Sequence, residues 1–213
     1  MNKLLLTACA AVVVLVAGCG SQTPVESDTT RAKAALVRLS DFPAGFHAGA
    51  APSTAKSPCV TVQRAKEQAS GRASSATFRL GDTMQAQSSV YVYADEPAAQ
   101  KAYASMIGSR TASCLGEILA RNISAQFGVP AKLRVEPLKL AAMPAERAGT
   151  RVRLPFSIET VEVEILSDFL FIRSGRAVAI HTFTSEAAKP FGADLRERLS
   201  RTTIERLESE LAV

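Results

Sequence analysis

The side chains from which this sequence could build chemistry are few. There are two histidines, His47 and His181, and four cysteines, Cys9, Cys19, Cys59 and Cys114. Only one acid–base couple can be placed by geometry. Asp168-Phe-Leu-Phe-Ile-Arg173, then Ser174-Gly175, then Arg176-Ala-Val-Ala-Ile-His-Thr-Phe183 reads as two apolar strands joined by a two-residue loop containing glycine, the clearest hairpin in the chain. That register sets Phe171 opposite Val178, Phe169 opposite Ile180, and Asp168 directly opposite His181, within hydrogen-bond reach. Catalysis would need a nucleophile beside the couple, and the neighbouring Ser167 points to the other face. The expectation is therefore a structural ion pair, Asp168–His181, and no catalytic residue. His47, in a loop beside Gly45 and Phe46, reads as solvated. Arg173, Arg176, Arg151 and Arg153 could make an anion site, but the acidic neighbours Glu159, Glu162 and Glu164 favour mutual neutralisation. No GxSxG, HExxH, GxxxxGK[ST], GxGxxG or EF-hand pattern is present. No metal and no cofactor is expected.

The cysteines carry a different chemistry. Residues 1–19 read MNKLLLTACAAVVVLVAGC, with a basic start at Lys3 and an uncharged apolar run from Leu4 to Val16. That run is about 13 residues long, short of the roughly 20 a bilayer span needs, and reads as the apolar region of a signal peptide. Val16-Ala17-Gly18-Cys19 resembles the lipobox of bacterial lipoproteins. The resemblance implies cleavage after residue 18 and lipidation of Cys19, the thiol taking diacylglycerol and the amino group a further acyl chain such as palmitate. The Ser/Thr/Pro/Gly-rich stretch at 20–30 has linker composition, so residues 19–30 are expected to be a lipidated cysteine with a flexible tether. Cys9 leaves with the leader, and Cys59 and Cys114 remain. In an oxidising compartment they are expected to form a disulfide. The rival readings are a reactive or metal-ligating thiol, for which no CxxC and no nearby histidine exist, and two buried free thiols.

The remaining residues supply elements to position these groups. Composition is ordinary for a globular protein, 47% hydrophobic and 21% charged. Helical spacing is expected over residues 31–39, about 59–69, from an Asp95 cap through Ile107, over about 112–126, and over about 192–211. Strand patterns fall at 75–80, 86–94, 132–140, 148–154, 160–166 and in the hairpin. Tyr91 and Tyr93 alternate with Val90 and Val92, and both faces of the hairpin are apolar, so layers are expected on both sides of the sheet. The last helix carries as much acid as base, unlike a nucleic-acid-binding helix. The sum is an α+β fold: a single domain over 31–213, an antiparallel sheet with helices packed on it.

Three segments resemble envelope lipoproteins of actinobacteria that are similar to the extracellular sensor domain of mycobacterial serine/threonine protein kinases. They are Leu39-Ser-Asp-Phe-Pro-Ala-Gly-Phe46 followed by Cys59; Ser89-Val-Tyr-Val-Tyr-Ala-Asp95 running into an Ala-rich helix and Cys114; and Phe171-Ile-Arg-Ser-Gly-Arg-Ala-Val178 before a final helix. The resemblance implies an α+β domain with a concave cleft, a sensing role and no catalysis. This chain departs in having one cysteine pair where the kinase sensor domain has two. The expectation is a non-enzymatic, membrane-anchored lipoprotein on the extracytoplasmic face, binding a small ligand or an envelope protein. The alternatives are an envelope hydrolase, which needs polar groups converging in a pocket, and a structural or adaptor module.

Overall fold

Every residue from Leu166 to Ile172 is buried, which only a strand covered on both faces allows. That strand lies at the middle of the sheet in the computed structural model, which describes residues 24–50 and 57–211. The leader, Cys9 and Cys19 fall outside the described residues. In chain order the elements are α1 (Pro24–Ala34), β1 (His47–Ala48), α2 (Val60–Glu67), β2 (Gly71–Ser74), β3 (Phe78–Leu80), β4 (Met84–Val92), α3 (Glu96–Met106), α4 (Ser109–Phe127), β5 (Arg134–Pro137), β6 (Glu146–Ile158), β7 (Val161–Ser174), β8 (Ala177–Glu186) and α5 (Ala193–Leu211). The strands form one 8-stranded sheet in the order β1-β3-β4-β8-β7-β6-β5, with β2 also pairing β4. All its pairings are antiparallel. The chain is thus a single α+β domain, as its patterning implies.

The alternation along β4 and β7 sorts the core into two layers. Tyr91, Tyr93, Phe169 and Phe171 pack with Ala99, Ala102, Tyr103 and Met106 of α3 on one face. Val90, Val92, Ile172 and Ala179 pack with Ala35 and Leu36, and with Ile204 and Leu207 of α5, on the other. Asp95 caps α3, its carboxylate accepting from the Ala98 amide at 2.8 Å.

Two expectations change. The helix read over 31–39 begins at Pro24, so residues 24–30 of the expected tether are helical. Composition misleads here because a tertiary contact overrides it. Asp28, 5% exposed, accepts two bonds from Arg176, 2.9 and 2.6 Å, and one from Ser70 Oγ at 2.5 Å. Arg176 holds the Asp28 carboxyl below the ordinary carboxylate range. The segments 160–166 and 168–173 are also one continuous strand, with Ser167 and Asp168 in its buried middle.

Candidate functional site

The β7–β8 hairpin turns at Gly175-Arg176, not Ser174-Gly175, since Ser174 pairs with Ala177. Gly175 takes φ +52°, and a glycine at the first of two loop positions is what a tight primed turn favours. The alternative register would set Arg173 directly opposite Arg176, a destabilising like-charge pair. The two-residue shift places Asp168 opposite Phe183 and His181 opposite Leu170. The expected Asp168–His181 ion pair is therefore corrected: the two share a face but sit diagonally, and each finds its partner elsewhere.

Those partners lie two turns apart on one face of α5, and on β6. Arg196 places Nη1 3.1 Å from Asp168 Oδ2. Arg151, directly opposite on β6, donates Nε to Oδ1 at 2.6 Å and Nη2 to Oδ2 at 2.8 Å. His181 Nε2 lies 3.0 Å from Thr203 Oγ1. Burial pushes the His181 imidazole down to about 4, so it is neutral at pH 7. Burial also lowers the Arg196 guanidinium, with Asp168 opposing that shift, whereas Asp168 raises Arg151. His181 is 1% exposed and cannot exchange a proton with a bound molecule. Ser167 is buried toward the opposite face, 3.0 Å from Thr184 Oγ1. This seam fastens α5 to the sheet.

The four arginines weighed as an anion site are each neutralised. Arg151 is held by Asp168, Arg153 by Glu164, Arg173 by Glu146 and Arg176 by Asp28. His47 lies exposed in β1.

The other face of the sheet carries a cleft of about 160 Å³. Tyr91, Phe169, Phe171 and Ile180 form its floor, and Val62 of α2 and Leu115 of α4 form its walls. Gln87, Ser89 and Thr182 add polar groups at one end, and Lys66 closes the rim. The Lys66 ammonium sits 5.9 Å from the centre of the Tyr91 ring, within cation–π range. The Cys59–Cys114 disulfide, with Cα atoms 5.8 Å apart, joins the residue preceding α2 to α4 and ties the two walls together. Among the described residues no group of three or more His, Cys, Asp or Glu side chains could hold a metal ion.

The family resemblance implies a concave cleft, but the residue pattern does not locate it. The Tyr91/Val90 alternation shows a two-sided strand, but not which side is left partly unfilled. Lys66 looks like any solvated lysine of a short helix until its position over Tyr91 is known.

The domain is an antiparallel sheet with helices on both faces and an open cleft on one of them. No protein-family model matches the chain, and no curated protein matches it. Among solved structures it is similar in fold to the extracellular domain of PknH from Mycobacterium tuberculosis, with TM-score 0.52 and 10% identity over 85% of this chain and 96% of that one. That likeness shows the fold. A protein of unknown function from Pseudomonas aeruginosa, PA94, aligns over 51% of this chain and 63% of its own at 18% identity, with a TM-score of 0.19. Among the described residues no helix is long and apolar enough to cross a membrane.

Proposed function

We propose that this chain is a non-enzymatic, lipid-anchored protein of the extracytoplasmic face of a bacterial membrane, whose domain holds a small ligand in the cleft over Tyr91. The observation that carries the reading is the cleft itself: an apolar, ring-bearing floor flanked by the polar side chains of Ser57, Lys66, Gln87, Ser88, Ser89 and Thr182, a concave surface able to fix a ligand's orientation. The separation of Asp168 from His181 supports a binding role over the hydrolase alternative. Leader, lipidated Cys19 and disulfide belong together in one oxidising envelope compartment, and the fold likeness is to a domain described as extracellular. Nothing in the charge pattern calls for nucleic acid.

The test is a thermal-shift screen of small molecules on the chain from residue 19 carrying Cys19→Ser, alongside the same chain with Thr182→Trp, which fills the cleft. A ligand at about one hundred times its Kd stabilises by roughly 2.7 kcal/mol. That corresponds to a rise of about 5–10 °C at this size. The expected result is a shift abolished by Thr182→Trp. A shift that survives the substitution puts the ligand elsewhere, and no shift with any compound refutes the reading.

A further inference from the structure

One side chain in the cleft breaks a rule the rest of the domain obeys. Among the described residues, Arg31, Arg147, Arg151, Arg153, Arg173, Arg176, Arg196 and Arg206 are partly or fully buried, and each has a carboxylate within ion-pair distance. Lys66 is half-buried and has none. Its neighbour Glu67 accepts from Gln63 Nε2 at 2.7 Å. The ammonium instead lies over Tyr91, the ring that floors the cleft. A cation withdrawn from water is most stable with an anion supplied.

The size of the space limits what that anion can be attached to. At about 160 Å³ the cleft is close to an engineered cavity of about 150 Å³ that takes up benzene, so it holds one ring. Its apolar lining carries three rings, Tyr91, Phe169 and Phe171, beside Val62, Leu115 and Ile180, and the rings offer a second ring edge-to-face or offset contacts. Thr182 can hydrogen-bond a carboxylate oxygen or a ring substituent.

We propose that the cleft binds a small ring-bearing organic anion, its carboxylate on Lys66 and its ring against Tyr91 and Phe171. This assignment rests on the ligand-binding reading above and narrows it to a chemical class. A free metabolite and the ring of a larger envelope molecule would present the same chemistry.

Benzoate and its neutral isostere benzamide are the probes, followed by amide NMR titration of the chain from residue 19 carrying Cys19→Ser. Benzoate is expected to bind saturably, moving the Tyr91 and Phe171 amides, and more tightly than benzamide. Lys66→Gln should weaken benzoate at least tenfold and leave benzamide unchanged. Arg64→Gln, an exposed change on the same helix, should alter neither. Thr182→Trp should abolish both, with the amide spectrum of each variant reporting its fold. Equal affinity for the two probes, unchanged benzoate affinity in Lys66→Gln, or no saturable benzoate binding overturns the proposal. If benzoate shows no saturable binding while a neutral compound binds and is blocked by Thr182→Trp, the cleft remains a ligand site and the anion assignment falls. Tighter binding of a longer envelope-derived aromatic acid than of benzoate would identify the larger source, and equal binding the free one.

Discussion

Asp168→Ala is expected to be among the costliest single changes in this domain. Its carboxylate is 2% exposed and takes both Arg151 nitrogens as well as the Arg196 guanidinium. Removing it leaves Arg196, 8% exposed, as a buried charge whose remaining acceptor among the described residues is the Phe191 carbonyl. Breaking a buried pair in this way costs about 3–5 kcal/mol, a large part of the roughly 5–15 kcal/mol that holds a domain folded. At about 2–4 °C per kcal/mol, the melting temperature should fall by about 6–20 °C. Arg196→Met should cost less, about 1–3 kcal/mol, because Asp168 keeps its bidentate bond to Arg151. Arg153→Ala breaks a pair whose arginine is more than a third exposed and should cost about 1 kcal/mol or less. Replacing the whole cluster with Asp168→Leu, Arg151→Met and Arg196→Met should recover most of the loss, since an apolar cluster of similar volume needs no compensation. Urea and thermal melts by circular dichroism measure all four. The reasoning fails if Asp168→Ala lies within about 1 kcal/mol of Arg153→Ala, or if the triple change is no better than the single one.

The other expectations concern pH, the disulfide, the packing of α1 and the anchor. Because the folded His181 titrates near 4 and an unfolded one near 6.5, the unfolded chain takes up the proton first as pH falls. Stability from this group is therefore whole above pH 6.5 and declines down to about pH 4, by at most about 3 kcal/mol. His181→Leu should flatten that part of a pH–stability curve, and an unchanged slope would show that His181 is not its source. Reducing the Cys59–Cys114 bridge, which spans 55 positions, should cost up to about 4 kcal/mol by loop entropy. Peptide mapping that finds both thiols free in exported protein would remove that contribution. A Cβ on Gly71 would lie 2.2 Å from the Asp28 carbonyl carbon, so Gly71→Ala should cost about 1–3 kcal/mol and speed proteolysis of α1. Wild-type melting and cleavage would contradict that packing. Cys19→Ser should release the protein from the membrane fraction or leave it unprocessed, and an unchanged anchored species would end the lipoprotein reading.

The parts legible in the sequence were those set by local pattern. Periodicity placed α3, α5, β4 and the β7–β8 hairpin because each carries its own capping, turn or alternation signal. Parity along β7 also put Asp168 and His181 on one face, and cysteine arithmetic paired Cys59 with Cys114. What failed depended on contacts between distant residues. The hairpin register turned on which of two residues takes the positive φ, and Arg173 opposite Arg176 was the available warning. The polar residues of α1 read as linker because Arg176, far along the chain, supplies the partner of Asp28. The cleft had no local signal: Tyr91, Phe171 and Thr182 are ordinary strand residues, and only the way α2 and α4 sit over them leaves space.

The two faces of the sheet divide the work of the domain. The α1/α5 face is closed by buried polar bonds: Asp28 to Arg176, Asp168 to Arg196, His181 to Thr203. A half-satisfied network there would be worse than an apolar one, which favours rigidity. The α2/α4 face is held by apolar contacts, a disulfide, a Thr61–Thr111 hydroxyl bond of 2.7 Å and the Tyr93 hydroxyl donating to the Ala65 carbonyl at 3.1 Å, so its opening can be lined with rings and one unneutralised cation without stranding any partner. Chain geometry then relates the faces to the proposed anchor. With α1 starting at Pro24, a lipidated Cys19 lies five residues away, at most about 18 Å of chain. The domain would then be held close to the bilayer by the segment that packs on the closed face. A short anchor on that face and a cleft on the opposite one would let a ligand reach Lys66 without passing the membrane-attached segment.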